Sequence, residues 1–303
     1  MTPRILCIYY SQTGQLGRII SNFIAPVKKC NTVEVVSVQP SKAYDFPWSG
    51  KDFFESMPGS VLAETIDLEP FSLDEEEYDL IIFGYQPWFL SPSIPATSIL
   101  KHPKIQPLLS GTPVITVIGA RNMWLNSQEK VKQLLTQANA RLVGNVAFVD
   151  KHNNWASAVS IVYWQLYGHK KRLLGIFPKP GVAGKDIDGA GRYGELVVEA
   201  IKNKDLESLQ PAVIEAGGVE VRHNIMFIES KAGRIFKIWA GLISKQKNRT
   251  LWLQIFKYYL AIALFIASPI VVLIDMLLIR PFTIRKRNIK RRYFMGTSLS
   301  SDE

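Results

Sequence analysis

The chain has 303 residues, of which 47% are hydrophobic and 20% are charged, as in an ordinary folded protein. This composition excludes a disordered, collagen-like or coiled-coil chain and supplies enough apolar side chains for a full core. Two cysteines occur, Cys7 and Cys30. They form neither a disulfide framework nor a zinc ligand set, so the sequence predicts no metal site and indicates a reducing cytoplasm.

The net charge of +10 is concentrated near the end of the chain. Residues 231–303 hold 14 Lys and Arg against three acidic residues, whereas residues 1–230 hold 22 basic and 23 acidic residues. A near-neutral body argues against a nucleic-acid partner. The basic tail encloses a long apolar run, a combination typical of segments that bind membranes containing anionic lipids.

Five short apolar runs predict the strands of a sheet: residues 4–10, 33–38, 78–84, 113–119 and 142–149. Continuous apolar runs are typical of parallel strands that are buried on both faces. Helices are predicted over residues 15–25, 127–139 and 186–201. This alternation predicts an α/β fold with a doubly wound, five-stranded parallel sheet.

The same pattern predicts how the chain is divided. Residues 1–205 form the α/β domain, in which residues 151–185 are an aromatic insertion that roofs a ligand site or packs as an extra helix. Residues 206–230 are a linker or extension, and residues 231–303 are a basic amphipathic and hydrophobic tail. The first apolar run begins so near Met1 that we expect no signal peptide.

The loop after the first predicted strand carries hydroxyl side chains and glycine where a helix begins. Ser11, Thr13 and Gly14 would expose backbone N–H groups at the positive end of a helix dipole, which suits a phosphate dianion. The loop is neither a Walker P-loop, which ends in lysine, nor a GxGxxG turn. The alternative is a simple N-cap, with Ser11 or Thr13 accepting from the helix donors.

This loop resembles the first loop of the flavodoxin-like FMN-binding proteins, Ser/Thr-x-Thr-Gly-x-Thr, which wraps the FMN phosphate. Leu16 stands where the family has a further hydroxyl, so one phosphate contact is missing. The resemblance implies a flavodoxin-like fold and FMN as the cofactor. The phosphate site that it implies comprises Ser11, Gln12, Thr13, Gly14 and Gln15.

Two further loops follow the third and fourth predicted strands, where members of this family hold the flavin ring. The flavin contacts implied there are Gln86, Pro87, Trp88, Phe89, Gly119, Arg121, Asn122 and Trp124. Aromatic faces suit a flat tricyclic ring, although the alternative for each tryptophan is a buried side chain beneath its loop. Because the carboxyl ends of parallel strands meet at one edge of a sheet, the three loops converge on one ligand.

Longer segments are similar to the dialkylresorcinol-forming family, whose members are described as condensing enzymes or aromatases. These segments are residues 84–95, 116–124 and 178–182, together with the apolar, basic tail. The similarity would cover nearly the whole chain. It implies flavin-dependent oxidation of a dialkylcyclohexane-1,3-dione to a dialkylresorcinol, and a ketosynthase-type pathway partner that makes the dione.

Such an oxidation needs a hydride acceptor, which a flavin supplies, and a base for the neighbouring acidic proton. The insertion offers His152 and Tyr163 as candidate catalytic residues, with His169 as a further candidate. A lone histidine is more often structural than catalytic. Asp150, at the end of the fifth strand, orients His152 or caps the next helix.

The tail contains 22 consecutive residues between Lys257 and Arg280 with a single charge, Asp275. This length meets the ~20 residues of a membrane-spanning helix. Both flanks of the run are basic, so the positive-inside rule places both in the cytoplasm. We therefore expect a monotopic or re-entrant anchor on the cytoplasmic side of the inner membrane, bent at Pro269. The alternatives are a buried core helix and a dimer interface.

Residues 231–245 place apolar side chains at helical spacing among basic ones, a pattern that suits a bilayer surface. Membrane lipids are therefore predicted partners of residues 231–292. A flavoenzyme held on a bilayer would act on a lipophilic small-molecule substrate.

Three other functions are compatible with the sequence. The fold supports an NAD(P)H:quinone reductase, and a non-enzymatic membrane-bound electron carrier would use the same FMN site. Leu16 leaves open a scaffold without a cofactor. Flavodoxin-like reductases often dimerise over the flavin, so the resemblance also allows a homodimer.

Overall fold

The computed structural model describes residues 2–299. Its strands are β1 Arg4–Tyr9, β2 Thr32–Ser37, β3 Leu80–Tyr85, β4 Pro87–Trp88, β5 Ser91–Pro92, β6 Pro113–Ala120 and β7 Arg141–Val149. The five long strands form one parallel sheet in the order β2-β1-β3-β6-β7, and β4 and β5 form a short antiparallel hairpin. Without the hairpin this is strand order 2-1-3-4-5, the flavodoxin-like arrangement. The predicted fold class is confirmed.

Helices connect these strands and cover the sheet. The α/β body contains the helices α1 Gln15–Cys30, α2 Gly50–Val61, α3 Ile94–Leu100, α4 Gln106–Leu109, α5 Leu125–Gln137, α6 Asn154–Tyr167, α7 Gly184–Asp188 and α8 Gly191–Lys202. After them come α9 Leu209–Glu215, α10 His223–Ser244 and α11 Arg249–Met295. Helices α1 and α8 pack against each other, and α5 packs against α3 and α10.

The strands form as predicted because both faces of the sheet are covered. All six residues of β3 are buried, and Ile81, Ile82 and Phe83 are at most 1% exposed. Burying a side chain of this size contributes roughly 1.5–3 kcal/mol to folding. The inner strands β1, β3 and β6 therefore read as almost unbroken apolar runs that end where polar residues begin, whereas the edge strand β2 is only partly buried.

Two segments differ from the sequence predictions, and a third gains a defined structure. Helix α2 was not predicted, because Gly50, Pro58 and Gly59 in or next to it are poor helix formers. The predicted closing helix is two helices, α7 and α8, separated at Gly189 and Ala190. In residues 206–230, α9 packs onto the sheet with Leu209 and Val213 each 1% exposed.

The tail forms α10 and the long helix α11. Within residues 2–299, α11 is the one helix long and apolar enough to cross a membrane. Its large apolar side chains are exposed along much of its length, as at Ile266 with 59% and Leu278 with 65%.

The helix does not end at Pro269, where a bend was predicted. Proline lacks an N–H group and its ring clashes with the carbonyl four residues earlier, here that of Phe265. The helix widens into a π-helical turn over Ala263–Ala267, which contains Phe265, and continues through Ser268–Ile274. A second π-helical turn, Asp275–Ile279, precedes Pro281 in the same way. Widening of the preceding turn accommodates each proline without ending the helix.

The helix bends further along. Asp275 accepts two hydrogen bonds from the Arg287 guanidinium, at 2.5 and 2.7 Å, and both side chains are almost fully buried. Twelve residues of straight α-helix rise about 18 Å, which is beyond the reach of these two side chains. The axis of α11 therefore turns between Asp275 and Arg287.

Both ends of α11 pack on the folded body. Near its start, Leu253 and Phe256 form a second apolar core with Met57 of α2 and Ala240 of α10. Near its end, Phe294 enters the main core. The apolar middle of α11 thus lies between two attachment points on the same body.

Candidate functional site

Two adjoining cavities lie at the carboxyl ends of β1, β3 and β6, under α6. The inner cavity, of about 120 Å³, is lined mainly by the loops after these strands: Gln12, Thr13, Gln15, Leu16, Gln86, Pro87, Trp88, Gly119, Ala120 and Arg121, with Ile161, Trp164, Gln165 and Gly181 opposite. The outer cavity, of about 160 Å³, shares Trp88, Arg121 and Gln165 with it and adds Trp48, Phe53, Ser56, Phe89 and Val162. The three loops therefore meet at one place.

The first loop presents hydroxyl groups whose hydrogens are free to donate. Ser11 Oγ accepts from the Gly17 N–H at 3.1 Å, and Thr13 Oγ1 accepts from the Gln15 N–H at 3.4 Å. A hydroxyl that accepts one bond keeps its own O–H as a donor. Gly14 directly precedes α1 and adopts φ 73°, in the left-handed region, and no side chain caps the start of the helix. Hydroxyl donors at the start of a 16-residue helix suit a phosphate dianion.

Gln15 extends this donor set. Its Oε1 accepts from the Val182 N–H at 3.0 Å, so the segment around Gly181 closes over the start of α1. A Cβ on Gly181 would lie 2.9 Å from the Gln15 amide and 3.1 Å from the Trp164 ring, so only glycine fits there. The Gln15 Nε2 group is buried and has no hydrogen-bond partner among residues 2–299. It is one more neutral donor beside the loop.

Other cavity residues also carry unpartnered polar atoms. The indole nitrogen of Trp48 and Oε1 of Gln165 are buried without a partner in the described part of the chain. Buried polar groups in proteins are nearly always hydrogen-bonded, and an unpaired one costs about 1–3 kcal/mol. Three such groups belong to residues that line the adjoining cavities, which suits a polar ligand.

Arg121 brings a positive charge to both cavities. Its guanidinium donates to the backbone oxygen and to Oδ1 of Asn154, at 2.9 and 3.0 Å, and Asn122 donates to the same Oδ1 at 2.9 Å. Burial lowers the pKa of Arg121 to about 10, while Asp150 and Glu229 oppose that shift. The side chain therefore remains charged at neutral pH. Asn154, the first residue of α6, ties this loop to the helix above it.

Trp88 forms the aromatic wall between the cavities. Its ring makes edge contacts with Tyr44 at 4.9 Å and Trp48 at 5.0 Å. The hairpin after it turns through Phe89 and Leu90, which adopt φ 47° and 59°. Left-handed backbone is unfavourable for such residues and persists only where packing enforces it. Phe89 packs against the second apolar core, where its ring centroid lies 6.2 Å from that of Phe236 on α10. Helix α10 therefore supports the aromatic wall.

Six predicted site residues do not line either cavity. Two of them, Ser11 and Gly14, belong to the first loop described above. Trp124 is 2% exposed and buried in the main core, which is the alternative considered for it from the sequence. Asn122 is 7% exposed and holds Asn154. The Tyr163 ring packs against Tyr167 at 5.1 Å, on a different side of α6 from the cavity residues.

His152 is the last of these residues. Its side chain is 47% exposed, and Nδ1 lies 2.6 Å from the buried carboxylate of Asp150. Asp150 also accepts from the Ser157 hydroxyl at 2.7 Å and from the His152 backbone N–H at 2.9 Å. Asp150 thus both orients His152 and fixes the first turn of α6. Within residues 2–299, Arg121 is the only ionisable side chain that lines either cavity.

Several cavity residues were not singled out from the sequence. Trp48 lies just before α2 and Phe53 lies in it, in a stretch where no element was predicted. Gln165 lies on α6. The aromatic content of these segments was visible, but nothing in the sequence relates residue 48 to residue 165. Their proximity depends on tertiary contacts, including the bond from the Trp48 N–H to the Gln165 carbonyl at 2.8 Å.

The tail helix α10 also reaches this site, through a buried carboxylate. Glu229 is 0% exposed and accepts from the Asn126 N–H at 2.8 Å, at the start of α5 directly after the Arg121 loop. Burial raises its pKa from 4.5 to about 7, against the backbone donors of α5 and Arg121, which lower it.

The buried position of Glu229 predicts a pH-dependent stability. Because this pKa is raised, the contribution of Glu229 to folding stability is fully present below pH 4.5 and is lost as pH rises towards 7. A Glu229→Gln variant lacks this titration, so its free energy of unfolding should rise relative to wild type between those pH values and stay constant above them. Urea unfolding of both proteins across this range measures the difference, and parallel pH profiles would contradict the assignment.

The solved structures compared with this chain are distant in sequence. No family model matches the chain, and neither does any curated protein. A flavoprotein from Lactobacillus acidophilus NCFM, solved in complex with FMN, is 16% identical with a TM-score of 0.40, covering 49% of this chain and 93% of its own. A flavodoxin from the domain Archaea is 11% identical with a TM-score of 0.38, covering 66% and 99%.

The oxidised flavodoxin 1 of Bacillus cereus is 13% identical with a TM-score of 0.32, covering 63% of this chain and 95% of its own. Likenesses of this size carry no conclusion about cofactor or activity. The fold is established by the strand order of the sheet itself.

Proposed function

We propose that this protein is an FMN-dependent oxidoreductase that acts on a lipophilic substrate at a membrane surface. The observation that carries the proposal is the inner cavity, where a dianion-binding loop, an aromatic wall and a cation meet at the carboxyl ends of a flavodoxin-like sheet. Ser11, Thr13 and Gln15 would hold the FMN phosphate, and Trp88 and Arg121 would border the ring. Bound FMN would supply a two-electron acceptor.

Arg121 is the group best placed to stabilise negative charge. It remains charged, lines both cavities and is held by Asn154. A 1,3-dione enolises to an acidic enol, and a fixed guanidinium beside it would lower the pKa of that enol, so that water could accept the proton that the enol releases. His152 and Tyr163 lie outside the cavities, which makes Arg121 the stronger candidate for this role.

In its most specific form, the proposal is an aromatase that oxidises a dialkylcyclohexane-1,3-dione to a dialkylresorcinol, with a ketosynthase-type partner supplying the dione. Anaerobic mixing of the FMN-loaded protein with such a dione tests it. The flavin absorbance should bleach while the product loses two hydrogens. Bleaching by NADPH but not by the dione would identify an NAD(P)H:quinone reductase instead, and bleaching by neither would favour an electron carrier.

The membrane part of the proposal rests on α11. A spanning helix places its two ends on opposite sides of a hydrocarbon layer about 30 Å thick. Here both ends attach to one body, through Phe256 at the start and through Tyr293, which donates to Glu129 at 2.8 Å, at the end. This arrangement supports monotopic attachment to one leaflet. The basic residues on both flanks support the cytoplasmic side of the inner membrane.

Acidic substitutions on the exposed apolar face of α11 should abolish membrane binding. We expect the full chain to float with vesicles of equal parts phosphatidylcholine and phosphatidylglycerol. A variant with Ile266→Glu and Leu278→Glu should stay at the bottom of the gradient, because carboxylates are costly to insert into lipid. Both residues are more than half exposed, so folding should persist.

The matched control carries Val35→Glu and Leu62→Glu, at apolar positions of the α/β body that are 37% and 39% exposed. This control should float like wild type. Equal flotation of all three proteins would overturn the role of α11. Loss of flotation in both variants but not in wild type would mean that added negative charge alone governs binding, and a wild-type chain that does not float would overturn membrane binding itself.

A further inference from the structure

The outer cavity differs in chemistry from the inner one. Its added walls are mostly apolar or aromatic, namely Trp48, Phe53, Phe89 and Val162. No part of the phosphate-binding loop beyond Gln12 reaches it. Because it shares Trp88 and Arg121 with the inner cavity, a molecule held there would lie against a molecule held in the inner cavity. This is the arrangement that a substrate needs beside a cofactor.

We infer that the outer cavity is a substrate subsite and that the Trp48 indole N–H sets its preference for lipophilic molecules carrying a hydroxyl or enol oxygen. The inference rests on the proposed function for the identity of the neighbouring ligand. It adds the residue that selects the substrate.

The walls of the subsite suit a flat ring with apolar substituents. The Trp48 ring stands on edge to Trp88 at 5.0 Å and to Phe53 at 5.8 Å, and Phe53 lies 4.9 Å from Phe89. Aromatic rings in such edge and tilted contacts form a rigid, apolar surface. Lipophilic ligands gain free energy by leaving water for such a surface.

Two unpartnered polar atoms belong to residues of this surface. Trp48 is 4% exposed, and among residues 2–299 it is the only tryptophan with a buried indole nitrogen that lacks a hydrogen-bond partner. Gln165 lines the same cavity with an unpartnered amide oxygen. Tryptophan N–H groups usually find a partner when they are buried. A hydroxyl or enol can accept from an indole N–H and donate to an amide oxygen, so such a group suits either atom.

The position of the subsite also suits delivery from a bilayer. Val162, on its wall, is 39% exposed, and Trp155 lies seven residues earlier on α6 and so on nearly the same helix face. The Trp155 ring contacts Phe265 of α11 at 5.7 Å. The outer edge of the subsite therefore adjoins the apolar helix proposed to bind the membrane, where a lipophilic substrate would dissolve.

The test compares two probes that differ in oxygen content, 4-hexylresorcinol and hexylbenzene. Their binding to the full chain in mild detergent is measured by titration calorimetry, with and without FMN. Wild type should prefer 4-hexylresorcinol. Trp48→Phe keeps an aromatic ring but removes the donor, and it should weaken 4-hexylresorcinol binding about tenfold while leaving hexylbenzene unchanged.

Two further variants keep the inference falsifiable. Gln165→Met removes the acceptor and should likewise reduce the preference for 4-hexylresorcinol, even if Trp48→Phe fails to fold. Trp155→Phe, at a 47% exposed position outside the cavities, should bind both probes like wild type. Equal binding of the two probes to wild type, or equal weakening of both by Trp48→Phe, would overturn the inference.

The same titrations separate this inference from the proposed function. FMN uptake is read independently from visible absorption. A protein that takes up FMN but does not distinguish the probes retains its proposed redox role and loses the Trp48 subsite. A protein that takes up no FMN but still distinguishes them retains the subsite and loses the redox role.

Discussion

Replacing Thr13 by glutamate is expected to weaken FMN binding about 100-fold without unfolding the protein. The new carboxylate would stand where the loop hydroxyls and the start of α1 are arranged for a phosphate dianion, and juxtaposed like charges cost several kcal/mol. Thr13 is partly exposed, so the core is not disturbed. Quenching of FMN fluorescence on titration into detergent-purified protein measures the affinity.

Thr13→Val is the matched control, since valine is similar in size to threonine, lacks the hydroxyl and adds no charge. It should weaken FMN binding by about tenfold or less, the effect of one hydrogen bond. If Thr13→Glu binds FMN as tightly as wild type, the phosphate does not lie at this loop.

Gly194→Ala is expected to lower the free energy of unfolding by about 3 kcal/mol, as severe overpacking does. Gly194 lies on α8 where that helix crosses α1, and a Cβ there would stand 1.9 Å from the backbone oxygen of Phe23. Backbone cannot yield as a flexible side chain does, so the two helices must separate. Urea unfolding followed by circular dichroism measures the loss.

The control is Gly241→Ala in α10, where a Cβ would meet no atom within 4 Å. That change should stabilise the protein by up to about 1 kcal/mol, because alanine is the better helix former. Equal stability of Gly194→Ala and wild type would mean that α1 and α8 are not packed as closely as described.

The sheet could be predicted from sequence because its signal is local. Strands buried on both faces must be apolar along their length, so β3 and β6 appear as unbroken runs that end at polar loops. Helix α2 could not be predicted in this way. Its buried residue Met57 is covered by Ala240 and Phe256, which are about 200 residues away in the chain. Its stability comes from that contact rather than from propensity.

The tail shows the same limit. Its apolar length and basic flanks were visible, but the sequence did not show that the helix continues past Pro269, where a π-helical turn accommodates the ring. A turn of the helix axis accompanies the buried pair of Asp275 and Arg287, twelve residues apart, and no local pattern identifies that pair.

At the candidate site, sequence located the loops but not the direction of each side chain. Trp88 and Trp124 occupy equivalent positions after strands of the sheet, yet Trp88 lines both cavities and Trp124 is buried in the core. The roof and outer wall, including Gln165 and Trp48, depend on tertiary folding. Binding of FMN itself remains a prediction from the geometry of the inner cavity.

The cavities also predict that α6 moves when ligands bind. At about 120 and 160 Å³, each is smaller than the roughly 300 Å³ at which ligand pockets usually begin. Ile161 and Trp164 of α6 cover the inner cavity, so a cofactor and a substrate together would displace this helix outward.

The central claim is that the three loops bind FMN, and the most direct measurement is the visible absorption spectrum of the full chain purified in mild detergent. Any released chromophore would be identified and quantified. The account predicts a flavin spectrum with equimolar FMN, present on purification or restored by added FMN. A colourless protein that takes up no added FMN would contradict it. The fold and the apolar helix α11 would then stand, and the proposed redox role would not.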